Sequence, residues 1–289
     1  MIKEYLKLFR IHQWIKNVFI FVPLVFSKNL FNLESLLIAT AGFFVFCLAS
    51  SLVYVINDII DIESDRQHPV KKERPLASGR ISKKAASNSV IVLSVIVIAL
   101  HPFFDHLFDI LLLSYIFLNI FYSIKLKNIV IIDIFSIAAG FMIRIISGAV
   151  VINVEVSSWL ILTTMFISLF LGVMKRRSEL VLFEKISTRK VLSEYSITFL
   201  DQMATVAAAG VIICYALYSV AARTVTVFGT DKLIFTTPFV VFGIFRYMYL
   251  VYMNAKGENT SKILVSDLPM IINILLYILF SVLIIYKII

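Results

Sequence analysis

Three aspartates spaced by three and four residues carry the strongest chemical signal in this sequence. They are Asp58, Asp61 and Asp65, and Asn57 precedes the first of them. On a helix these offsets place the three carboxylates on one face, where like charges repel unless a cation compensates them. Hard oxygen ligands suit Mg²⁺, which usually keeps several waters and takes further ligands from substrate phosphates. The pattern therefore predicts a Mg²⁺ site that binds a diphosphate, against the alternative of a solvated acidic helix end.

A basic segment follows the aspartates directly. Lys71, Lys72 and Arg74 lie between Pro69 and Pro75. The residue before a proline avoids the helical region, so an extended path is expected here. On such a path the three cations would reach the acidic cluster and bind phosphate oxygens beside the metal. Anchoring of a cytoplasmic loop by positive charge explains each base singly, but it does not explain the acids that precede them.

Further candidates lie at the ends of apolar segments or within them. Each has an ordinary structural alternative, such as a snorkelling lysine, an interfacial aromatic or a structural ion pair. The dense positive charge after the sixth apolar segment suits an anionic head group or a phosphate. Together with Asn57, the substrate-binding candidates outside the basic segment are Lys16, Asn17, Tyr122, Lys125, Lys127, Arg144, Lys175 and Arg176.

Apolar segments dominate the chain and must position these residues. Hydrophobic residues occupy 60% of the 289 positions and charged residues only 16%, unlike the mix of a soluble domain. Stretches of ~20 apolar residues recur throughout, and each is long enough to cross a bilayer. We therefore predict an all-α, polytopic membrane protein with a single domain over 1–289 and polar loops near 57–85 and 175–201. The nine predicted spans are 14–31, 35–56, 86–104, 107–124, 129–151, 157–174, 202–222, 233–255 and 263–286.

Lys and Arg are distributed unevenly between the two sides of this predicted bundle. Of the 27 basic residues, 21 lie on the side of the N-terminal segment and four on the other side. The positive-inside rule therefore predicts that the N-terminus and both long polar loops are cytoplasmic, in the inner membrane. The same bias accounts for the formal charge of +9, so we expect no nucleic-acid partner. Small residues permit close helix packing, either within one chain or in a homo-oligomer.

The aspartate motif resembles that of the UbiA superfamily of intramembrane prenyltransferases. The pattern Asn57-Asp58-x-x-Asp61-x-x-x-Asp65 is similar to the first aspartate-rich motif of that family, at the inner end of the second span. The resemblance covers essentially the whole chain, and it implies a UbiA-like helix bundle with two inward catalytic loops. It also implies that the three aspartates hold Mg²⁺ against a diphosphate.

A narrower likeness is to the decaprenyl-phosphate phosphoribosyltransferase branch of that family. It rests on segments 10–17, 21–27 and 68–75, and on Tyr122-Ser123, Asp133-Ile134, Gly140-Phe141 with Arg144, and Lys175-Arg176-Arg177. This branch implies transfer of 5-phosphoribose from 5-phosphoribosyl 1-diphosphate to a polyprenyl phosphate. Ordinary prenyltransferases of the superfamily carry a second aspartate-rich motif after the sixth span, whereas segment 175–201 holds one aspartate and is basic. That departure favours a donor with an additional phosphate.

Two other functions stay open on the sequence. A conventional UbiA prenyltransferase, which moves a prenyl group from its diphosphate to an aromatic acceptor, would use the same metal site. A transporter would use the ionisable residues within the spans, namely Asp133, Arg144 and Arg246. The densest polar chemistry lies at one membrane face rather than at the midplane, which favours an enzyme over a transporter.

Overall fold

The computed structural model describes residues 2–68, 70–182, 190–254 and 266–287, and every regular element in those ranges is helical. The all-α prediction is therefore confirmed. Two short helices, α1 (Ile2–Leu8) and α2 (Val22–Phe26), flank a 3₁₀ segment at Ile11–Phe21. The helices that follow are α3 (Leu33–Ile60), α4 (Ile62–Gln67), α5 (Lys83–Ala99), α6 (His106–Ile124), α7 (Ile132–Val151), α8 (Ser158–Leu182), α9 (Ile197–Val220), α10 (Ala222–Phe228), α11 (Thr237–Asn254) and α12 (Leu268–Ile285).

Eight helical segments in the described ranges are long and apolar enough to cross a membrane. They carry large apolar side chains on their outer surfaces, such as Ile98 at 70% exposure and Leu275 at 61%. A water-soluble protein rarely presents so much contiguous apolar surface. The chain is therefore a multi-pass membrane protein, and the count of eight is close to the nine predicted.

The first predicted span, 14–31, takes a different form from the other eight. Arg10 has φ 50° and ψ 48°, a left-handed conformation that interrupts the helix before the 3₁₀ segment. The apolar helical stretch runs from Ile11 to Phe26 and is shorter than the eight spans. Lys28, with φ 61°, departs from helical geometry just beyond it. Hydropathy extends the prediction to residue 31 because it records how apolar a segment is and not which backbone conformation it adopts.

The chain divides into two compact units, and the first contains residues 1–24, 29–136 and 143–155. Its core includes an aromatic cluster in which Phe46 packs edge-on against Phe108, with 5.8 Å between ring centroids. Helix α7 approaches the 3₁₀ segment so closely that a Cβ at Gly148 would lie 2.1 Å from the carbonyl oxygen of Ile20. Only glycine permits that approach. The 3₁₀ segment, which follows Arg10, is thus fixed tightly within the unit.

The second unit contains residues 25–28, 137–142 and 156–289. Helices α8 and α9 pack closely, since a Cβ at Gly210 would lie 2.5 Å from the ring of Phe166. Between α11 and the start of α12, Arg246 forms an ion pair with Asp267 at 2.9 Å. The prediction of a single domain over 1–289 stays a prediction.

Candidate active site

The aspartate motif lies where α3 passes into α4. Asp58 belongs to the last turn of α3, Asp61 stands between the helices, and Asp65 lies in α4. The backbone N–H of Asp61 donates to the carbonyl oxygen of Asn57 at 2.9 Å, and that of Asp65 donates to the carbonyl oxygen of Asp61 at 2.8 Å. Helical hydrogen bonding therefore continues through the junction. The three carboxylates follow one another at about one-turn intervals, as their spacing predicts.

Asp58 is a buried carboxylate with two cationic partners. Only 2% of its surface is exposed. The guanidinium groups of Arg10 and Arg74 both donate to its Oδ1 atom, Arg74 at 3.2 Å. The Arg10 guanidinium also lies over the ring of Tyr54, 4.8 Å from the centroid, in a cation–π contact. A buried carboxylate needs such partners, because an unpaired charge is costly to remove from water.

Arg74 links Asp58 to Asp65. The Nη1 atom of Arg74 donates to Oδ2 of Asp65 at 2.5 Å, and Nζ of Lys71 lies 3.9 Å from the other oxygen of that carboxylate. The basic segment therefore reaches the acids through Lys71 and Arg74, although Lys71–Glu73 forms a short 3₁₀ turn instead of the predicted extended path. Lys72 is exposed, and within the described ranges its side chain makes no ion pair with them.

The segment after the motif is held against α1 and α3. Leu76 and Ile81 are buried in a small apolar cluster with residues of both helices. Arg80 forms an ion pair with Glu4 of α1 at 3.2 Å. A hydrogen bond from Lys7, and then the charge of Arg80, lower the pKa of the Glu4 carboxyl. These contacts fix the path of the chain that carries Arg74 back to the carboxylates.

Asp61 is the most accessible of the three carboxylates, with 20% of its side chain exposed. The ammonium group of Lys127 donates to both of its oxygens, at 2.7 Å and 2.9 Å. Lys127 lies in a short 3₁₀ turn, Leu126–Asn128, that follows α6. The turn after α6 therefore supplies a cation to the motif.

Carboxylates and cations alternate through this part of the first unit. The cations are Arg10, Lys71, Arg74 and Lys127. Within the described residues no three His, Cys, Asp or Glu side chains form a ready-made metal site. The donor set still fits Mg²⁺, because that ion needs only one or two carboxylates when phosphates and water complete its coordination. The fit is to a metal that arrives with a phosphate rather than to a preformed cage.

Arg10 is a candidate that the motif analysis misses. It lies 48 positions from Asp58 in the sequence, so no local spacing connects the two residues. Its left-handed backbone conformation is uncommon for a residue other than glycine and clusters at functional sites. The available sequence signal is its position at the start of segment 10–17, one of the segments that carry the family resemblance.

Two predicted substrate-binding residues, Asn17 and Arg144, are buried and contact each other. The Nε atom of Arg144 donates to Oδ1 of Asn17 at 2.7 Å, and Nη2 donates to the hydroxyl of Tyr115 at 2.8 Å. Ser50 donates to the same Asn17 oxygen at 3.3 Å and lies 3.1 Å from the Tyr115 hydroxyl. This network joins the 3₁₀ segment, α3, α6 and α7. It gives both predicted residues a structural task.

The remaining candidates of the first unit differ in their surroundings. Lys16 is partly buried and close enough to Arg10 for the two charges to interact. Tyr122 is partly buried near the end of α6, and Lys125 is exposed just after it. Asn57 is partly buried in the last turn of α3. Their substrate-binding roles stay predictions.

Lys175 and Arg176 lie in the second unit, within α8. The sequence places the start of a polar loop near 175, whereas the helix continues to Leu182. The reason is local pairing: Nη1 of Arg176 donates to Glu179 at 2.6 Å, and Nζ of Lys175 lies 4.0 Å from that carboxylate. Such pairs at offsets of three and four stabilise a helix. Arg176 is also buried, with 1% of its side chain exposed.

The next residue, Arg177, connects α8 to α9. Its Nε donates to Oδ1 of Asp201 at 2.6 Å, and its guanidinium lies 4.1 Å from the ring centroid of Tyr252. Part of the predicted second loop, including Glu184, lies outside the described residues.

With the fold and this geometry established, comparison with known proteins identifies the class. The chain belongs to the UbiA prenyltransferase family, which matches residues 18–275. It is therefore a transferase of the membrane. A UbiA homolog from Archaeoglobus fulgidus, solved bound to GPP and Mg²⁺, has the same fold: the TM-score is 0.74 over 98% of this chain and 99% of that one, at 17% identity.

Two relatives named decaprenyl-phosphate phosphoribosyltransferase are similar in sequence. The chain is 34% identical to the one from Corynebacterium glutamicum over 222 residues, which are 74% of this chain and 66% of that protein, just under two thirds of its length. It is 32% identical to the one from Mycolicibacterium smegmatis over 225 residues, 76% of this chain and 71% of that protein.

Proposed function

We propose that this chain transfers 5-phosphoribose from 5-phosphoribosyl 1-diphosphate to a polyprenyl phosphate and releases diphosphate. The observation that carries the proposal is the convergence of Arg10, Arg74 and Lys127 on Asp58, Asp61 and Asp65. A site that combines carboxylates for a metal with several cations suits a highly phosphorylated donor. The names of the two bacterial relatives support the same donor and acceptor.

In this proposal the three aspartates would hold Mg²⁺. When bound, the metal would neutralise the charge that develops on the leaving diphosphate. Asp61 is the most exposed of the three carboxylates and so the most accessible from outside. Asp58 and Asp65 are buried, at 2% exposure each, and they become available only as their cationic partners turn away.

The cations exchange partners when the donor binds. Arg74 bridges Asp58 and Asp65 in the structure, and Arg10 shares the same Asp58 oxygen. An incoming diphosphate offers these guanidinium groups a pair of charged oxygens that they can bind in bidentate fashion. The carboxylates of Asp58 and Asp65 would then be available, with Asp61, to hold the metal. The ion pairs thus keep the site electrically balanced before the donor arrives.

The acceptor phosphate attacks the anomeric carbon of the ribose. A bond forms between that carbon and a phosphate oxygen of the lipid, while the bond from the carbon to the diphosphate oxygen breaks. The attacking oxygen is already an anion, so no side chain has to remove a proton. Lys127, with Lys16 and Lys125 as further candidates, orients this phosphate.

The proposed site faces the cytoplasm. It lies on the more basic side of the predicted bundle, and the positive-inside rule assigns that side of the inner membrane to the cytoplasm.

The direct test uses purified protein in lipid nanodiscs, Mg²⁺, phosphoribosyl diphosphate labelled in the ribose, and polyprenyl phosphate. The proposal expects label in the organic phase that requires the metal and is lost in Asp61→Asn. Labelled prenyl diphosphate with an aromatic acceptor serves as the parallel reaction. Transfer of the prenyl group, with no transfer of ribose by the same folded preparation, would contradict the proposal and identify a conventional UbiA prenyltransferase.

A further inference from the structure

A groove on the first unit is separate from the aspartate motif. It has a volume of about 480 Å³, within the range of roughly 300–1,000 Å³ that is usual for small-ligand sites. Its walls come from α1, the 3₁₀ segment, α3 and α5, and they are mainly apolar. Two polar side chains deep in the wall already have partners: Nε1 of Trp14 donates to Ser51 at 3.0 Å, and Ser51 donates to the Phe9 carbonyl oxygen at 2.9 Å. The groove therefore favours an apolar occupant.

The surroundings of the groove identify that occupant as a lipid chain. Helix α5 belongs to one of the eight membrane-spanning segments. Val92 and Ile96 line the groove and are 56% and 40% exposed, and the neighbouring Ile91 and Val95 are 62% and 60% exposed. This surface of α5 lies in hydrocarbon when the helix crosses a bilayer, so the groove opens toward lipid.

Two lysines lie just beyond one end of the groove, at the start of α5. Lys84, Asn88, Val92 and Ile96 follow one another at intervals of four residues and so form a single stripe along α5. Asn88, Val92 and Ile96 line the groove. Lys84 precedes them at the polar start of the helix, beside the exposed Lys83. A ligand bound along this stripe, from Ile96 toward the start of α5, therefore contacts the Asn88 amide and then the two lysines. That sequence of surfaces matches an acyl chain joined to an anionic head group.

We propose that this groove binds one anionic phospholipid. The acyl chain lies along Val92 and Ile96, and the phosphate is bound by Lys84 and Asn88. None of the cations that pair with the three aspartates lines the groove. A phosphate at the end beside the two lysines is therefore held by residues other than those of the proposed transfer reaction, which distinguishes this lipid from the polyprenyl phosphate acceptor.

The experiment measures retained lipid and thermal stability for the full chain. Protein washed with delipidating detergent is examined by native mass spectrometry, and its Tm is recorded with added phosphatidylglycerol or phosphatidylcholine. Val92→Trp fills the groove. Val95→Trp makes the same change at an equally exposed position of α5 that does not line it. Lys84→Gln removes the charge at an exposed site and leaves the apolar wall intact.

We expect one retained phosphatidylglycerol per chain and a rise in Tm of several degrees that phosphatidylcholine does not reproduce. Val92→Trp abolishes both effects, Lys84→Gln weakens lipid retention about tenfold, and Val95→Trp behaves as wild type. Equal shifts with both lipids, or equal losses in Val92→Trp and Val95→Trp, would overturn the proposal. Displacement of the phospholipid by polyprenyl phosphate, or a tenfold rise in the acceptor KM in Val92→Trp, would also overturn it, because the groove would then belong to the acceptor.

Discussion

The acidic motif of the first unit and the basic end of α8 in the second unit pair their charges in different ways. In the motif, Asp58 and Asp61 receive Arg10 and Lys127 from 48 and 66 positions away. At the end of α8, Lys175 and Arg176 contact Glu179 only four and three positions along the same helix.

The difference lies in what each arrangement requires. A pair at an offset of three or four forms as soon as its helix forms. The motif, in contrast, depends on the turn after α1, the segment after α4 and the turn after α6 being folded together, and it removes two carboxylates almost completely from water. Such buried pairs contribute little net stability and are often no better than apolar packing. A costly arrangement of this kind is more typical of a functional site, whereas the α8 pairs are typical of helix stabilisation.

The largest effect on activity is expected for a substitution of an aspartate of the motif, compared with a substitution of a neighbouring glutamate outside it. Asp61→Asn should lower kcat/KM by about 10³-fold, because a metal that neutralises a leaving group contributes several kcal/mol. The measurement is Mg²⁺-dependent transfer of labelled phosphoribose to lipid. Glu63→Gln is the matched control, since Glu63 lies two positions on, is 77% exposed and pairs with Arg66. Equal activity in the two variants would remove the motif from the reaction.

Stability, rather than activity, should respond most at the end of α8. Arg176→Met leaves Glu179 with only 14% of its side chain exposed and without its nearest cation. We expect the free energy of unfolding in detergent to fall by about 3 kcal/mol, at the low end of the range for breaking a buried pair. An unchanged free energy of unfolding, together with a large loss of activity, would place this arginine in the same functional class as the aspartate motif.

The turn after α6 offers a smaller and more selective test of the motif. Lys127→Gln removes the cation that contacts both oxygens of Asp61 and should raise KM about tenfold for a phosphate-bearing substrate. Lys3→Gln changes an exposed lysine of α1 that has no proposed part in binding, and it should leave KM within about twofold. Steady-state kinetics with each substrate varied in turn will show which phosphate Lys127 binds. Similar KM values for the two variants would mean that the contact with Asp61 has no part in binding.

The contrast between local and distant pairing also explains how much the sequence predicts. The one-turn spacing of Asp58, Asp61 and Asp65 is a property of one helical path, so the order of the acids along that path follows from sequence alone. The proximity of Lys71 and Arg74 follows from their position soon after α4. The contribution of Arg10 depends on a left-handed backbone turn, and that of Lys127 on the packing of α6, and neither has a short-range signature.

The membrane helices show the same limit. Hydropathy identifies the eight long spans, although it misplaces several ends by a few residues. Residue 174 is predicted to end a span, yet α8 continues because Lys175 and Arg176 pair with Glu179 along the helix. Asn17 and Arg144 are substrate-binding candidates in the sequence because both belong to segments that carry the family resemblance. Their mutual hydrogen bond becomes visible only when the 3₁₀ segment and α7 are packed together.

The smallest expected effect tests whether the end of α8 has any function beyond its own helix. Lys175 is 39% exposed, and its contact with Glu179 is long at 4.0 Å, so Lys175→Gln should change the free energy of unfolding by less than about 0.5 kcal/mol. Since Lys175 belongs to the dense positive charge that suits an anionic phosphate, we expect KM for phosphoribosyl diphosphate to rise about threefold. Lys232→Gln, at an exposed lysine on the opposite predicted face, controls for the loss of one positive charge. A KM equal to that of the control would mean that Lys175 only stabilises its helix. Phosphate binding would then depend on the residues around the three aspartates.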